Sequence, residues 1–284
     1  MEYSDFLKKN VREQIRARIK NEKRADKEID KFCDKYRNWY KEEKALGRKP
    51  ITVLAEGDSW FLYIVGKAVV YHLERELKTD ILNLAFPGDE VREMLSPKQK
   101  KRLIRELKKG PSPRNKFDYL LFSGGGNDLV GIDRFYKWLH PYEKRMKPKD
   151  ILNKKTLKAA LSLVENCYNE VVSIRDTCSP KTHLLFHSYD YAIPDGRGVC
   201  GKGPWLKPGL DHRKVPERYR RNVVKLFLGE FDKTLKRVAR NSEKITVVKT
   251  QGTLNDGEWA NELHPKNIGF KKIAKLFKNE IAQS

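Results

Sequence analysis

The chain has 284 residues, of which 39% are hydrophobic and 10% aromatic, and its formal net charge is +22. This length and apolar content suit one large folded domain, or one domain with an appendage, and exclude a chain that is disordered throughout. The positive charge predicts attraction to anions such as nucleic acid, anionic lipid headgroups or acidic substrates, with a lysine-rich solvated surface that has no specific partner as the alternative.

The cysteines and the N-terminus give an expectation about the compartment. The spacings of Cys33, Cys167, Cys178 and Cys200 are typical of neither a zinc site nor a redox motif. Four cysteines in a chain this long do not indicate a disulfide scaffold, which favours a reducing compartment. The sequence shows no secretory signal, and no stretch approaches the ~20 apolar residues of a transmembrane helix. We therefore expect a cytoplasmic protein, with signal-independent export as the alternative.

Residues 1–48 are predicted to form a basic, amphipathic helical extension. Apolar residues recur at helical spacing in two stripes, Leu7, Val11, Ile15 and Ile19, then Ile29, Phe32, Cys33, Tyr36 and Tyr40. Gly47 and Pro50 end the pattern. The extension either packs on the main domain or serves as a surface for self-association, a partner or a membrane.

In residues 49–284 short apolar runs alternate with amphipathic stretches. The apolar runs are Ile51–Ala55, Ile81–Ala85, Tyr119–Phe122, His183–Phe186 and Ile245–Val248. The amphipathic stretches cover residues 61–77, 98–108, 156–177, 215–238 and 265–281. Strands and helices that alternate in this way form a parallel sheet covered by helices on both faces. The sequence therefore predicts an α/β domain.

The segment 189–210 interrupts this alternation because it is long and rich in glycine and proline. It follows the fourth apolar run, and long loops at the carboxyl ends of parallel strands are often functional. We interpret it as a wall or lid of a substrate pocket, with a solvent-exposed insertion as the alternative.

A second unusual segment runs from Arg92 to Lys116 and contains ten basic residues against two acidic ones. Its helical part turns Leu103, Ile104 and Leu107 to one side and basic residues to the others. The segment is either a solvated surface or a patch that binds anions.

Four short segments follow predicted strands and carry residues suited to acyl chemistry. They are Glu56–Trp60, Phe86–Glu90, Ser123–Asp128 and Asn261–Pro265. The carboxyl ends of parallel strands meet at one edge of a sheet, so these segments are expected to lie together.

Each segment has a catalytic and a simpler interpretation. Ser59 lies on a predicted turn between strand and helix, where a backbone N–H at a helix N-terminus stabilises an oxyanion. Gly88 and the amide of Asn127 can also donate to an oxyanion. The simpler interpretations are an N-cap serine, a turn glycine, a phosphate-binding glycine loop and, for His264, a surface histidine. The glycine loop lacks the Lys-Ser/Thr pair of a P-loop.

Taken in chain order, Gly-Asp-Ser, the later Gly88, Gly-x-Asn-Asp and His-Pro resemble the sequence blocks of the SGNH (GDSL-like) hydrolase superfamily. The resemblance covers residues 51–284 and leaves 1–48 outside. It implies a three-layer α/β/α sandwich with a five-stranded parallel sheet of flavodoxin-like order. It also implies acyl transfer to water that needs no metal and no cofactor.

The resemblance further implies a role for each block residue. Ser59 is expected to be the nucleophile and His264 the base. The backbone N–H groups of Ser59 and Gly88 and the side chain of Asn127 are expected to form the oxyanion hole. Asp128 is expected to brace its loop.

The sequence departs from the family at one position. The family usually has Asp three residues before the histidine, where this chain has Asn261. An asparagine can hold the tautomer of His264, but it cannot stabilise the imidazolium by charge. Glu262, Asp256 or a backbone carbonyl are the alternatives for the third catalytic member.

Further candidates lie beside these blocks. His187 is either a rival base, a substrate contact or a structural histidine. Asp58, Trp60, Tyr189 and Trp205 are each either substrate contacts or parts of the core and of loop anchors.

These observations together predict a serine hydrolase that cleaves a carboxylic ester, an esterase or lipase-like deacylase. The basic surface favours an anionic lipid or glycan as substrate. One alternative is a non-catalytic binder of nucleic acid or anionic membrane on the same scaffold. Another is an interaction protein that self-associates through residues 1–48.

Overall fold

The computed structural model describes residues 22–63, 65–131, 134–199 and 201–283. The stripe predicted from Leu7 to Ile19, as well as Cys200, lies outside these ranges. Within them, no helix is long and apolar enough to cross a membrane.

Five strands form one sheet in which all neighbours are parallel. In chain order the strands are β1 (Val53–Gly57), β2 (Ile81–Asn83), β3 (Tyr119–Ser123), β4 (His183–His187) and β5 (Ile245–Val248). Their order across the sheet is β2-β1-β3-β4-β5. Every residue of β1 and β3 is buried, which explains why these runs are apolar on both faces. The predicted parallel sheet of flavodoxin-like order is confirmed.

Helices cover both faces of the sheet. They are α1 (Glu22–Ala45), α2 (Val69–Leu77), α3 (Val91–Met94), α4 (Pro97–Lys109), α5 (Gly126–Leu129), α6 (Pro148–Ile151), α7 (Lys154–Cys178), α8 (Lys207–His212), α9 (Glu217–Arg240) and α10 (Asn267–Gln283). Helices α2 and α10 pack together on one face, and α4, α7 and α9 follow one another across the opposite face. This arrangement follows from right-handed crossovers between parallel strands. The predicted three-layer sandwich is confirmed.

The helix predicted over 61–77 is wrong in its first half, because α2 begins only at Val69. After β1 the chain makes a tight turn in which Phe61 N–H and Leu62 N–H both donate to the carbonyl of Asp58. The carbonyl of Trp60 then accepts from Val69, and that of Phe61 accepts from Asn83. These bonds to distant groups replace the helical ones. Ser59 therefore lies on a turn and not at the N-terminus of a helix.

Helix α1, the described part of the N-terminal extension, packs on the α/β domain. Phe32, Cys33 and Tyr36 are buried in the common core, and the Tyr36 ring lies 5.9 Å from that of Phe117. Arg37 pairs with the buried Glu106 of α4. The second apolar stripe predicted for the extension therefore faces the domain.

Candidate active site

Ser59 and His264 meet at the carboxyl edge of the sheet. Ser59 lies on the turn after β1, and His264 lies on the segment between β5 and α10. The Oγ atom of Ser59 is 2.7 Å from Nε2 of His264. This is the distance expected for a serine whose proton is taken by a histidine base.

Asn261 orients the imidazole of His264. Its Oδ1 atom lies 3.0 Å from His264 Nδ1 and also accepts the backbone N–H groups of Leu263 and His264, each at 3.0 Å. Two backbone donors identify this atom as the amide oxygen, because the nitrogen could not accept from them. His264 Nδ1 therefore carries the proton, and Nε2 has a lone pair for the hydroxyl of Ser59.

Tyr63 supports the same pair from the side. Its ring stacks on the His264 ring with centroids 4.4 Å apart, and its hydroxyl accepts the amide hydrogen of Asn261 at 3.1 Å. The contact restricts rotation of both side chains. Nothing in the sequence pattern singled out Tyr63.

Burial lowers the pKa of His264 from 6.5 to about 4. Desolvation disfavours the charged imidazolium, and it is the cause of the shift. The imidazole is consequently unprotonated at neutral pH, which is the state that a general base needs.

Trp60 connects the nucleophile turn with the histidine segment. Its indole nitrogen donates to the carbonyl of Leu263 at 3.0 Å, and its backbone N–H donates to Asp58. The ring is buried, and it packs edge-on against Trp259 and Phe270. Trp60 thus fixes the distance between the segments that carry Ser59 and His264.

A buried ring of hydrogen bonds lies beneath the nucleophile. The Asp58 carboxylate accepts from the hydroxyls of Ser123 at 2.8 Å and Tyr189 at 2.6 Å. His187 Nε2 lies 2.8 Å from Ser123 Oγ, and His187 Nδ1 accepts the backbone N–H of Tyr189 at 3.2 Å. The ring closes on Tyr189, which takes part through both its hydroxyl and its backbone.

This ring explains His187 as a structural histidine. The ring nitrogen that accepts from Tyr189 must be unprotonated, so Nε2 carries the hydrogen and donates to Ser123. Burial lowers the pKa of His187 from 6.5 to about 3. With both nitrogens engaged and the ring stacked between Trp60 and Phe61, His187 does not face Ser59 as a rival base.

The buried carboxyl groups of the site resist ionisation. Burial raises the pKa of Asp58 from 3.8 to about 6, against the lowering effect of the hydrogen bonds from Tyr189, Trp60 and Ser123. Burial likewise raises the pKa of Asp128 to about 6. Asp128 accepts the N–H of Val91 at 3.0 Å and so joins the glycine loop to α3.

The three expected oxyanion donors differ in their surroundings. Asn127 lines the cavity beside Ser59, and its Nδ2 donates one hydrogen to the carbonyl of Asp89 at 2.9 Å. The amide has a second hydrogen, which remains for a substrate oxygen. The N–H groups of Ser59 and Gly88 have no acceptor within the described part of the chain. Gly88 has φ +87°, is exposed and is not among the residues that line the cavity.

The glycines of the loop after β3 pack closely against protein side chains. A Cβ at Gly124 would lie 2.5 Å from Val91, and one at Gly125 would lie 2.8 Å from Phe231. At Gly126 it would lie 3.0 Å from the ring of Tyr189, whose hydroxyl accepts the Gly126 N–H at 3.0 Å. The glycines therefore allow Asn127 to reach the site through a crowded passage.

A largely apolar cavity opens beside Ser59 and has about 500 Å³ of empty space, its mouth included. Its apolar walls come from four separate parts of the chain, namely Val130, Ala192 and Leu206, Val224, Phe227 and Leu228, and Trp259 and Leu263. Among the described residues that line it, Asp58 and Asp190 are the only acidic ones, and none is lysine or arginine. The cavity can hold an uncharged hydrocarbon group beside the serine.

Glu262 fixes the long loop 189–210 against the histidine segment. Its Oε1 atom accepts the backbone N–H groups of Gly196 and Lys207, both at 3.0 Å. Its Oε2 atom accepts those of Trp205 at 2.5 Å and Leu206 at 2.7 Å. Glu262 is fully buried and faces the loop. The loop is therefore a fixed wall of the cavity in this structure.

The other candidates also have defined places. Asp256 forms two hydrogen bonds with the exposed Arg221, at 2.9 and 2.7 Å, and lies at the surface. Trp205 lies edge-on to His264 with centroids 6.0 Å apart. Among the alternatives for the third catalytic member, the structure brings Asn261 to His264, whereas the side chains of Glu262 and Asp256 are engaged elsewhere.

Sequence reasoning missed several contributors to the site. Ser123 lies within one predicted catalytic segment and Tyr63 lies three residues after another, but their residue types carry no distinctive signal. The apolar face of α9 was recognisable from its periodicity, yet nothing indicated that Val224, Phe227 and Leu228 face the site. These assignments depend on how distant segments pack.

Comparisons with known proteins show which solved structures share this fold. No protein-family profile matches the chain, and no curated protein matches it. Solved structures do match. The lipase Lip_vut3 from a goat rumen metagenome is 16% identical over 81% of this chain and 96% of its own, with a TM-score of 0.52.

Two further structures show the same likeness. An extracellular lipase from Streptomyces rimosus is 13% identical over 80% of this chain and 98% of its own, with a TM-score of 0.52. A candidate SGNH hydrolase from Slackia heliotrinireducens is 12% identical over 82% of this chain and 100% of its own, with a TM-score of 0.51. The chain has the fold of these two lipases and of this candidate SGNH hydrolase, so the resemblance drawn from the sequence blocks is confirmed at the level of the fold.

Proposed function

We propose that the protein is a serine hydrolase that cleaves carboxylic esters through an acyl-enzyme on Ser59. The observation that carries this proposal is the 2.7 Å contact between Ser59 Oγ and His264 Nε2 at the mouth of an apolar cavity. Structures with this fold include lipases, which agrees with the proposal but shows only the fold at such identities.

The proposed reaction uses the side chains of Ser59, His264 and Asn127 together with backbone N–H groups. His264 Nε2 takes the proton from Ser59 while Oγ attacks the ester carbonyl carbon. The N–H of Ser59 and the second amide hydrogen of Asn127 donate to the oxyanion that forms, and we assign the third donor to Gly88. His264 then gives its proton to the leaving alcohol, and an acyl-enzyme remains. Water, deprotonated by the same histidine, releases the acid and restores Ser59.

Asn261, as the third catalytic member, orients the imidazole of His264 without placing a negative charge beside it. Asn261 fixes the tautomer that leaves Nε2 free, but the imidazolium that forms during the reaction has no carboxylate partner there. Replacing Asp by Asn in one serine protease costs about 10⁴-fold in rate. That loss arises from a wrong tautomer, and here the backbone donors to Asn261 Oδ1 prevent it. We therefore expect a slower but functional hydrolase.

The cavity favours an apolar acyl group. Its walls are largely aliphatic and aromatic, and none of the lining residues that the structure describes is a cation that could receive an anionic group. An anionic character of the substrate would consequently belong to the leaving-group side. The substrate class that fits is an ester of an apolar carboxylic acid.

Hydrolysis of p-nitrophenyl esters of increasing acyl length tests the proposal. We expect measurable turnover by the full chain and loss of at least about 10³-fold in kcat/KM for Ser59→Ala and His264→Ala. Ser162→Ala, at an exposed serine of α7, is the matched control and should retain full activity. Turnover that survives Ser59→Ala would contradict the proposal.

A further inference from the structure

A wide polar groove lies at the amino-terminal edge of the sheet. It is formed by the segments that precede β3, β4 and β5, and has about 1440 Å³ of open space. We call it the amino-edge groove and define it by its cationic lining residues Arg114, Lys116, Lys181 and Lys244. The parallel strands bring these segments together although they are far apart in the sequence.

The positive charge of this groove is poorly balanced. In the described parts of the chain its one acidic lining residue is Asp118, which accepts hydrogen bonds from the backbone and the hydroxyl of Thr52, each at 2.8 Å. Arg114, Lys181 and Lys244 are exposed and have no carboxylate within 4.0 Å in the described parts of the chain. The groove therefore presents cations that the protein itself does not neutralise.

The helical part of the basic run 92–116 behaves differently. Lys100 pairs with Glu170, and Arg105 pairs with both Asp30 at 2.5 Å and Glu106 at 2.7 Å. These cations join the helices of one face to each other. Lys100 and Arg105 are thus engaged within the protein, whereas Arg114 and Lys116, at the C-terminal end of the run, lie beside cations from two other segments.

His183 reports the local potential of the groove. Burial is the largest cause that lowers the pKa of His183, and the nearby cations Arg175 and Lys244 lower it further. His183 Nε2 lies 2.9 Å from the hydroxyl of Thr246. Cations that disfavour a further positive charge on a neighbouring ring favour a bound anion for the same reason.

We propose that the amino-edge groove binds the phosphate backbone of double-stranded nucleic acid without reading its sequence. Each phosphate that is neutralised by a lysine or arginine releases condensed counterions, and this supplies most of the affinity of non-specific binding. The aromatic lining residues Phe117 and Tyr119 are buried, so the groove offers no platform on which unpaired bases could stack. Because stacking of unpaired bases is excluded, contact with the phosphate backbone of a duplex is the binding mode that fits the groove.

An anionic membrane fits this groove less well. Binding to a bilayer surface normally inserts apolar side chains, and none of the exposed large hydrophobic residues in the described ranges lines the groove. The cavity beside Ser59 lies at the opposite, carboxyl edge of the sheet. If a membrane were bound at the groove, the cavity beside Ser59 would face away from the bilayer.

Fluorescence anisotropy of a labelled DNA duplex, measured with the full chain across about 50 to 200 mM salt, tests the proposal. The groove variant combines Arg114→Gln, Lys181→Gln and Lys244→Gln. A matched variant of equal net charge combines Lys149→Gln, Lys155→Gln and Lys158→Gln, all exposed and near the start of α7. The ester hydrolysis rate and the melting temperature report whether each variant is folded.

The slope of log K against log salt is negative for binding of this kind. We expect the groove variant to reduce its magnitude by about 0.9 per cation removed, about 3 in total. The matched variant should lower it by less than about 1, and Ser59→Ala should not change it. The pKa of His183, followed by NMR, should rise when DNA binds. Equal losses in the two triple variants, an unshifted His183, or binding of phosphatidylglycerol vesicles without binding of DNA would overturn the proposal.

Discussion

The hydroxyl of Tyr189 lies 2.6 Å from the Asp58 carboxylate and also accepts the N–H of Gly126 at 3.0 Å. One phenol thereby joins the turn that carries Ser59 to the loop that carries Asn127. Tyr189 adopts φ +59°, a backbone conformation that residues other than glycine rarely take. The hydrogen bonds at both ends of this residue hold it there.

Tyr189→Phe should therefore damage the protein in two measurable ways. The change removes a donor from a buried carboxylate, which costs about 1–3 kcal/mol in the free energy of unfolding measured with urea. The carboxylate, with one donor fewer, should be harder to ionise. We also expect kcat to fall more than KM rises, because the nucleophile turn and the Asn127 loop lose their common tie. Unchanged stability together with unchanged kcat would contradict this role.

Asn261→Asp should make His264 a stronger base. The carboxylate can accept from the same three N–H groups and places a negative charge beside the imidazole. The pKa of His264, about 4 in the native protein, should rise, and the acidic limb of the profile of kcat/KM against pH should move to higher pH with it.

The same substitution should raise kcat at neutral pH on the order of tenfold or more, because the imidazolium gains a charged partner. Asn261→Leu, which removes the acceptor, is the comparison and should lose activity at every pH. A profile whose acidic limb is identical in the native protein and in Asn261→Asp would show that Asn261 does not act on the base.

The pH dependence of stability should reveal the buried carboxyl group of Asp128. Its pKa is about 6 in the folded state and 3.8 ordinarily, so the folded state binds the proton more tightly than the unfolded state. Stability contributed by this group is present below pH 4 and is lost as the pH rises through about 6. Asp128→Asn removes the titration.

Urea unfolding of both proteins between pH 4 and pH 7 measures this effect. The free energy of unfolding of Asp128→Asn, minus that of the native protein, should increase with pH by up to about 3 kcal/mol. A difference that is constant across this range would mean that Asp128 is not buried in the folded protein as described.

Glu262→Gln should loosen the wall of the cavity. The amide would keep one acceptor oxygen and turn an NH₂ group toward two of the four backbone N–H donors of the loop 189–210. Two unpaired buried donors cost about 1–3 kcal/mol each. Hydrogen exchange of residues 196–207 should accelerate and KM should rise, whereas protection of α2 should not change. Unaltered exchange in 196–207 would contradict the account of Glu262.

Val224→Phe should shorten the acyl groups that the enzyme accepts. Val224 lines the cavity from α9, and a larger side chain takes up space beside Ser59. The ratio of kcat/KM for octanoyl over acetyl p-nitrophenyl esters should fall by about tenfold or more, since each methylene is worth about 1–3 kcal/mol in a hydrophobic pocket. Leu226→Phe, at an exposed position of the same helix, is the control and should keep the native ratio.

Much of the fold could be predicted from the sequence because local patterns determine it. All five strands lie where apolar runs occur, and α7 is capped by Asn153, whose side chain accepts the N–H of Thr156 at 3.2 Å. The false helix at 61–68 shows the limit of such patterns. This stretch has helical periodicity, but the carbonyl of Trp60 accepts from Val69 and that of Phe61 accepts from Asn83, so the first helical hydrogen bonds do not form.

The reacting residues of the candidate site could be predicted from the sequence, but the residues that hold them in position could not. The residue types and order of the sequence blocks predict Ser59 and His264 as a pair, and its position three residues before the histidine makes Asn261 a candidate partner. The structure brings these three side chains together. Tyr63, Ser123 and the ring through Tyr189 depend on contacts between residues up to about two hundred positions apart, which leave no periodic trace. The sequence leaves Glu262 as an alternative third catalytic member, and only the packing of the loop 189–210 shows that its carboxylate holds that loop.

Covalent labelling by a fluorophosphonate, followed by peptide mapping, tests the central proposal without requiring the natural substrate. An activated serine attacks phosphorus and retains the adduct. We predict a single adduct on Ser59 that forms in the native protein and in Asn261→Asp, and fails to form in Ser59→Ala and His264→Ala. Folded native protein that carries no adduct, or an adduct on another serine, would contradict the proposal that Ser59 and His264 form the catalytic pair.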